Sequence, residues 1–290
     1  MSAAPLYTDN DALHALLSKV TDLAVLPHVV YRVIEMSGST ECAVCDIGQV
    51  ISVDPGFSSK LLSLANSAYY GLPRKVTSIK EAVSFLGFRQ IRSLAMTVGI
   101  YDMFAGKNDE NSLRRRAWWR HSVDSAVCAK FLASRFKAVN PEDAYTCGLI
   151  HLIGKSLLDR FGSAEYQLVE ALMERGARDL QAEAAVYKCH HVEVAIACAE
   201  KWGFPESLIR GLNYLEPAEP GEPDSELRAI VLLSDRISDY AIKGKTEDTD
   251  QEVRTLPEWA TRILKIEPNQ IPMLLAEGME AIAKAASMNL

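Results

Sequence analysis

The stretch from Cys147 to Lys155 holds the residues whose types come nearest to metal chemistry. It reads Cys-Gly-Leu-Ile-His-Leu-Ile-Gly-Lys, so His151 is followed directly by Leu152. An imidazole can bind a divalent metal ion. An aspartate directly after it would add a carboxylate that holds or bridges metal ions beside a reacting phosphate. Leucine has no lone pair to offer. The segment therefore offers one potential metal ligand, His151, and no carboxylate directly after it.

A second group of residues combines guanidinium groups with indole rings between positions 114 and 120. Arginine can bind phosphate through two parallel hydrogen bonds, and tryptophan can stack on a base, so the segment could form an anion or nucleotide site. The same pattern fits the start of a helix with solvated arginines and tryptophans in the core, and we favour that interpretation. The candidate ligand-binding or partner-binding residues here are Arg114, Arg115, Arg116, Trp119 and Arg120.

The polar pair Asn66-Ser67 stands inside an otherwise apolar helical stretch that ends at Gly71. These two side chains could contact a partner or a ligand. They could also bond the nearby backbone and fix the following turn, which asparagine and serine commonly do. We favour the structural interpretation and keep both residues as candidates.

The six cysteines do not predict a disulfide framework in a chain of 290 residues. Cys42 and Cys45 have the spacing of a redox or zinc-binding pair, but no second pair completes a four-ligand zinc site. The remaining four lie singly in apolar helical contexts, where cysteine behaves as a small hydrophobe. They are Cys128, Cys147, Cys189 and Cys198.

Charge is distributed unevenly along the chain. Residues 1–120 carry 13 Lys and Arg against 11 Asp and Glu, whereas residues 121–290 carry 18 against 27. The acidic second half argues against nucleic-acid binding over a broad basic surface. The sequence has no apolar run of membrane-spanning length, and its start has neither the basic nor the apolar part of a signal peptide. We therefore expect a cytoplasmic protein without a membrane partner.

The dominant hydrophobic period is helical and predicts an all-α fold of two helical subdomains. Residues 1–105 would form the first and residues 113–290 the second, joined by the polar segment from Ala105 to Ser112. The pair Asp54-Pro55 predicts a helix start, with a capping carboxylate before a proline. The pattern also predicts one helix from Pro141 to Phe161 and a break near Tyr187.

Three motifs in the first half carry a resemblance to a known family. They are Asp54-Pro55, then Leu64-Ala65-Asn66-Ser67, then Ala82-Val83 followed after two residues by Leu86-Gly87. In this order and spacing the chain resembles the HDOD family, whose name means HD-related output domain, from about Leu26 to Asn213. The resemblance implies an all-α fold with an HD-like helical bundle in the second half. It also implies bacterial signal transduction by non-hydrolytic relatives of the HD and HD-GYP phosphodiesterases.

The resemblance also implies which residues would match an HD metal site. These are His121, His151, His191 and Asp235, with Leu152 in place of the metal-binding aspartate. A later histidine pair of the HD-GYP type would fall near Asn213-Tyr214, and neither residue is histidine. His121, His151 and Asp235 are expected to lie close together as a buried hydrogen-bonded cluster. We expect no metal ion or other cofactor, with a single divalent metal ion as the lesser alternative.

The sequence thus favours a non-enzymatic regulatory protein that acts through signalling protein partners or a small ligand between its two halves. By resemblance, its pathway could involve cyclic di-GMP, motility or gene-expression control. One alternative is a metal-dependent phosphohydrolase with a degenerate HD site. Another is a nucleic-acid binder that uses Arg114 to Arg120, which the acidic second half makes the weakest of the three.

Overall fold

A computed structural model describes residues 19, 26–37, 44–106, 111–243 and 256–287. No strand occurs within these ranges, which confirms the all-α prediction. No helix in the described part of the chain is both long and apolar enough to cross a membrane. Cys42 of the Cys42–Cys45 pair lies outside the described ranges.

The first half contains four α-helices and one short 3-10 turn among its described residues. Asp54 accepts a hydrogen bond from the Phe57 amide over 2.9 Å, and so caps α3 as predicted. The helix α4 breaks at Gly87, whose φ of 79° lies in the region that favours glycine. The elements are α1 (His28–Ser37), α2 (Val44–Ser52), α3 (Pro55–Ala65), the 3-10 turn (Ala68–Tyr70) and α4 (Ile79–Ala105).

The second half continues with ten α-helices in the described residues. These are α5 (Ser112–Phe136), α6 (Pro141–Ile150), α7 (Ile153–Phe161), α8 (Ser163–Glu174), α9 (Asp179–Tyr187), α10 (His191–Lys201), α11 (Glu206–Leu212), α12 (Ser225–Lys243), α13 (Glu258–Leu264) and α14 (Ile271–Ser287), with a second 3-10 turn at Pro268–Gln270. The break near Tyr187 is present, because α9 ends there. The single helix predicted from Pro141 to Phe161 is wrong: it ends at Ile150 and restarts at Ile153, so His151 and Leu152 form a junction between two helices.

Hydrogen bonds between buried or partly buried side chains join the two halves. Ser93 on α4 donates to Glu142 over 2.6 Å, and the Thr97 and Tyr145 hydroxyls lie 3.0 Å apart. Arg92 pairs with Asp143 over 2.5 Å. Since all three contacts run between α4 and α6, these helices hold the halves in one arrangement.

The end of α4 is fastened to the second half by donors from two helices. Arg160 donates to the Met103 carbonyl over 2.9 Å, Ser156 donates to the Phe104 carbonyl over 2.9 Å, and Arg115 donates to the Ala105 carbonyl over 3.2 Å. These carbonyls have no partner inside their own helix, so side chains must satisfy them. The predicted linker from Ala105 to Ser112 therefore begins at an anchored helix end.

Two glycines permit helix contacts that position the His151 junction. A Cβ at Gly148 would stand 2.8 Å from the Ser125 carbonyl oxygen, so α6 can cross α5 closely only without a side chain there. A Cβ at Gly154 would overlap the carbonyl oxygen of His191, where α7 meets the start of α10. Gly154, the glycine of the Ile-Gly-Lys segment, is therefore required for this close packing.

We predict that Gly154→Ala lowers the free energy of unfolding by about 1–3 kcal/mol, because the added methyl group meets backbone that cannot move aside cheaply. Chemical denaturation measures the effect. Gly56→Ala, in the first turn of α3, is the matched control, since the nearest atom to its Cβ would be a side-chain oxygen at 3.4 Å. Equal stability of the two variants would contradict the close packing of α7 on α10.

Asn66 holds the loop that follows α3. Its side-chain amide donates to the Val76 carbonyl over 2.8 Å, and its side-chain oxygen accepts from the Val76 amide over 2.8 Å. One asparagine therefore satisfies both backbone groups of a buried residue. This contact fixes the loop that carries the 3-10 turn.

We expect Asn66→Ala to destabilise the protein by about 1–3 kcal/mol, because two backbone groups of Val76 lose their partners. Thermal and chemical unfolding give the measurement. Ser63→Ala, an exposed change on the same helix, should alter stability by less than about 0.5 kcal/mol. A neutral Asn66→Ala would show that this side chain does not hold the loop.

Candidate functional site

The candidate site brings together three of the four predicted residues. His121 lies on α5, His151 at the junction of α6 and α7, and Asp235 on α12. One carboxylate oxygen of Asp235 stands 2.9 Å from Nε2 of His121 and 3.2 Å from Nε2 of His151. One potential ligand atom from each of the three residues lies within 4.8 Å of the other two.

The outer nitrogen of each imidazole also has an acceptor. Nδ1 of His151 lies 2.7 Å from the Gly148 carbonyl oxygen, to which it must donate. Nδ1 of His121 lies 3.3 Å from a carboxylate oxygen of Asp239. When these two nitrogens carry the protons, both Nε2 lone pairs face Asp235. Lone pairs and a carboxylate repel one another, so a proton or a cation must lie among them.

The surroundings favour an anionic Asp235 beside a neutral His151. Burial alone would raise the pKa of Asp235, but the hydrogen bonds and charges of His121 and His151 hold that pKa well below its usual value. Burial lowers the pKa of His151, and this effect exceeds the opposing hydrogen bond to Asp235. At neutral pH the cluster therefore holds one carboxylate charge, that of Asp235, beside a neutral His151 imidazole.

These residues suit one metal ion. Two imidazole nitrogens and one carboxylate oxygen are common ligands of zinc and of iron(II). Acceptors behind each imidazole, here the Gly148 carbonyl and Asp239, commonly orient metal-binding histidines. Leu152 is only 6% exposed and packs in the hydrophobic core, so it provides no fourth ligand and no bridge to a second ion. The arrangement fits one ion and not a pair.

His191 does not join this cluster. Its Nδ1 lies 2.7 Å from the Glu183 carboxylate, which also accepts from the His191 backbone amide over 2.9 Å. Tyr166 donates to the same carboxylate over 3.3 Å. His191 thus pairs with a different buried carboxylate, that of Glu183. We therefore correct its predicted place among the residues that match an HD metal site. A glutamate eight residues earlier gave no signal of this pairing.

Lys155 is a functional candidate that the sequence analysis left unassigned. Its ammonium pairs with Asp179 over 2.8 Å, and 13% of its side chain is exposed. Burial would raise the pKa of Asp179, but the Lys155 charge outweighs it and lowers that pKa. Burial would lower the pKa of Lys155, but the charges of Asp179 and Glu183, with a smaller contribution from Asp235, raise it. The Ile-Gly-Lys spacing next to His151 was the available signal.

Tyr214 closes the other side of His151. The two rings meet edge to face with centroids 5.5 Å apart, and Tyr214 is 2% exposed. Burial holds the pKa of the Tyr214 hydroxyl well above its usual value. The neighbouring Asn213 donates its side-chain amide to Glu216 over 2.5 Å. At these two positions the chain therefore has packing and hydrogen bonds where the resemblance would have had histidines.

Two arginines of the segment from Arg114 to Arg120 already pair with carboxylates of the same chain. Arg115 is buried and donates to Asp159 over 2.8 Å. Arg114 pairs with Asp159 and Glu170. Any anion bound by these two guanidinium groups would first have to displace the carboxylates.

The other candidates of this segment and Ser67 are placed differently. Trp119 packs against Tyr101 with ring centroids 5.3 Å apart. Arg120 is exposed and pairs with Asp124 on its own helix over 3.0 Å, and Arg116 is exposed. The Ser67 hydroxyl is buried without a hydrogen-bond partner among the described residues. None of these residues lies in the group of three potential metal ligands.

Comparison with known proteins gives one family and several relatives. A model of the HDOD domain matches residues 23–216. An uncharacterized protein of Treponema pallidum (strain Nichols) is 25% identical over 205 residues, which cover 69% of this chain and 39% of the relative. The chain therefore spans about two fifths of that relative's length.

Two crystal structures share the fold over nearly their whole length. An HDOD domain protein of unknown function from Geobacter sulfurreducens is 24% identical, with a TM-score of 0.74, and the match covers 95% of this chain and 98% of that one. A protein from Shewanella amazonensis SB2B, named provisionally as a phosphohydrolase, is 25% identical, with a TM-score of 0.70 over 94% and 99%. Since the family match runs through both helical halves and includes His121 and His151, the chain belongs to the HDOD domain family.

Proposed function

We propose that this chain is a signal-transduction module that acts by binding and does not hydrolyse phosphate esters. The observation that carries the proposal is Leu152, an apolar side chain directly after the metal-site histidine. It is buried in the hydrophobic core, so it neither binds a metal ion nor leaves room for a ligand that would. His121, His151 and Asp235 remain as a cluster of three.

Two-metal hydrolysis needs more ligands than this cluster offers. Such sites hold two ions about 3.5–4 Å apart, one stabilising the attacking oxygen and one the leaving oxygen. A carboxylate that bridges the ions would have to come from position 152. Tyr214 further restricts the space beside His151, because its ring packs on that imidazole. These features support binding over hydrolysis.

The proposed role is that of an output module. In this role, protein partners or a small ligand would recognise or change the arrangement of the two halves. Polar contacts between α4 and α6 hold that arrangement. The family resemblance adds cyclic di-GMP signalling or motility control as the setting, in the cytoplasm. The alternative function is a metal-dependent phosphohydrolase with a degenerate site, which the name of the Shewanella relative favours.

We expect no turnover of cyclic di-GMP or of bis(p-nitrophenyl) phosphate by the purified protein with Mn²⁺ or Fe²⁺. The reason is the missing bridging carboxylate. Product formation by chromatography and absorbance provides the measurement. Turnover that disappears in His151→Ala but persists in His28→Ala, an exposed histidine on α1, would establish the hydrolase alternative and sink the proposal.

A second candidate function is binding of a single divalent metal ion. The favouring observation is that both Nε2 atoms face Asp235 while Gly148 and Asp239 occupy the outer nitrogens. A divalent cation there would remove the repulsion between two lone pairs and a carboxylate. Such an ion could act structurally or as a sensed ligand, and it does not require a second ion.

We predict uptake of one equivalent of Zn²⁺ by metal-free protein, measured by calorimetry and elemental analysis. Asp235→Ala should abolish the binding, because it removes the only anionic ligand. Asp239→Asn should weaken it roughly tenfold through the orientation of His121. His28→Ala is the control and should bind as the natural chain does. Unchanged uptake by Asp235→Ala would place the ion elsewhere.

A further inference from the structure

A groove of about 440 Å³ opens where three parts of the chain meet. Tyr69 and Tyr70 of the 3-10 turn form one side, and the C-terminal half of α5 forms the floor. Near the end of the chain, α14 forms the other side with Lys284. The volume is within the range of sites that bind small organic ligands, about 300–1,000 Å³. The His121 cluster is separate, since none of its residues lines the groove.

The walls of the groove are mainly aromatic and aliphatic. Tyr69 and Tyr70 meet edge to face, with ring centroids 5.0 Å apart. Phe131 and Val127 on α5 add a half-buried ring and a buried side chain. The parts of these rings that line the groove can contact a flat aromatic guest, because offset and edge-to-face contacts add to simple burial.

The polar groups of the groove are largely uncommitted. The hydroxyls of Tyr69 and Tyr70, the Gln90 side chain and the Lys284 ammonium form no hydrogen bond or ion pair with any described residue. Burial raises the pKa of Tyr69 to about 12, so its hydroxyl stays protonated and can donate at neutral pH. Burial likewise raises the pKa of Tyr70 well above its usual value.

The charge of the groove indicates a ligand with one negative charge. Lys130 already pairs with Glu142 over 2.5 Å, and Glu142 accepts a further hydrogen bond from Ser93 over 2.6 Å. The charge of Lys130 is therefore balanced within the chain. Lys284 is exposed, and it is the lining cation that forms no ion pair with a described residue. One unbalanced cation with nearby donors suits a carboxylate better than a doubly charged phosphate.

We propose that this groove is a binding site for a small planar aromatic carboxylate. The aromatic ring would lie against Tyr69, Tyr70 and Phe131, and the carboxylate would face Lys284 and the tyrosine hydroxyls. Because the walls come from the first half, from α5 and from α14, a bound ligand would stabilise their mutual packing. This site stands whether or not the His121 cluster hydrolyses or binds anything.

The test uses 2-naphthoate as the probe and its neutral analogue 2-naphthalenemethanol as the matched compound. Ligand-observed NMR titration of the whole chain measures both affinities. We expect saturable binding of 2-naphthoate with a Kd of about 1 mM or tighter, given its size. The neutral alcohol should bind at least roughly twofold more weakly, because it lacks the attraction to Lys284.

Two groove variants and one control locate the binding. Lys284→Gln should weaken 2-naphthoate roughly two- to fivefold, as expected for an exposed ion pair. Phe131→Leu should weaken both compounds by about twofold or more through lost ring contacts. Lys80→Gln, an exposed change at the start of α4, should have no effect. Unfolding temperatures of all variants show whether each one remains folded.

Three outcomes would overturn the proposal. The first is the absence of saturable 2-naphthoate binding up to about 10 mM. The second is equal affinity for the neutral alcohol, which would remove the assigned role of Lys284. The third is unchanged binding by Lys284→Gln and by a folded Phe131→Leu, which would place the probe elsewhere. Weakening by these two variants together with an unaffected control supports the site.

Discussion

The second half of the protein depends on one carboxylate shared by two imidazoles. One carboxylate oxygen of Asp235 on α12 lies near Nε2 of His121 on α5 and Nε2 of His151 at the α6–α7 junction, so three separate parts of the chain must converge on one oxygen atom. A buried charge without partners is strongly destabilising. The helices therefore keep this arrangement, and Gly148 allows the close crossing that it requires.

The same contacts explain how residues that match an HD-type site can have a structural role. Leu152 stands where the HD pattern has a carboxylate. Its neighbours belong to the hydrophobic core, so an apolar side chain packs well there. The imidazoles and Asp235 still satisfy one another and keep the helices together. The three remaining residues organise the fold and offer a three-ligand site.

Polar contacts also fix the arrangement of the two halves relative to each other. Glu142 links Ser93 of the first half to Lys130 of α5, and this network borders the groove of Tyr69 and Lys284. Buried hydrogen bonds are directional, whereas apolar packing tolerates small shifts. The junction therefore holds the halves in one defined arrangement.

The sequence by itself determined the helical class, the capped start of α3 at Asp54 and the family motifs, because these depend on residues near one another in the chain. It also identified His121, His151 and Asp235 through the resemblance. Only the tertiary structure decided that the helix ends at Ile150. The apolar pattern of the sequence continues through the junction, but packing and the Gly148 carbonyl bend the chain there. Likewise, His191 pairs with Glu183 and Arg115 with Asp159 across helices whose contacts no local pattern encodes.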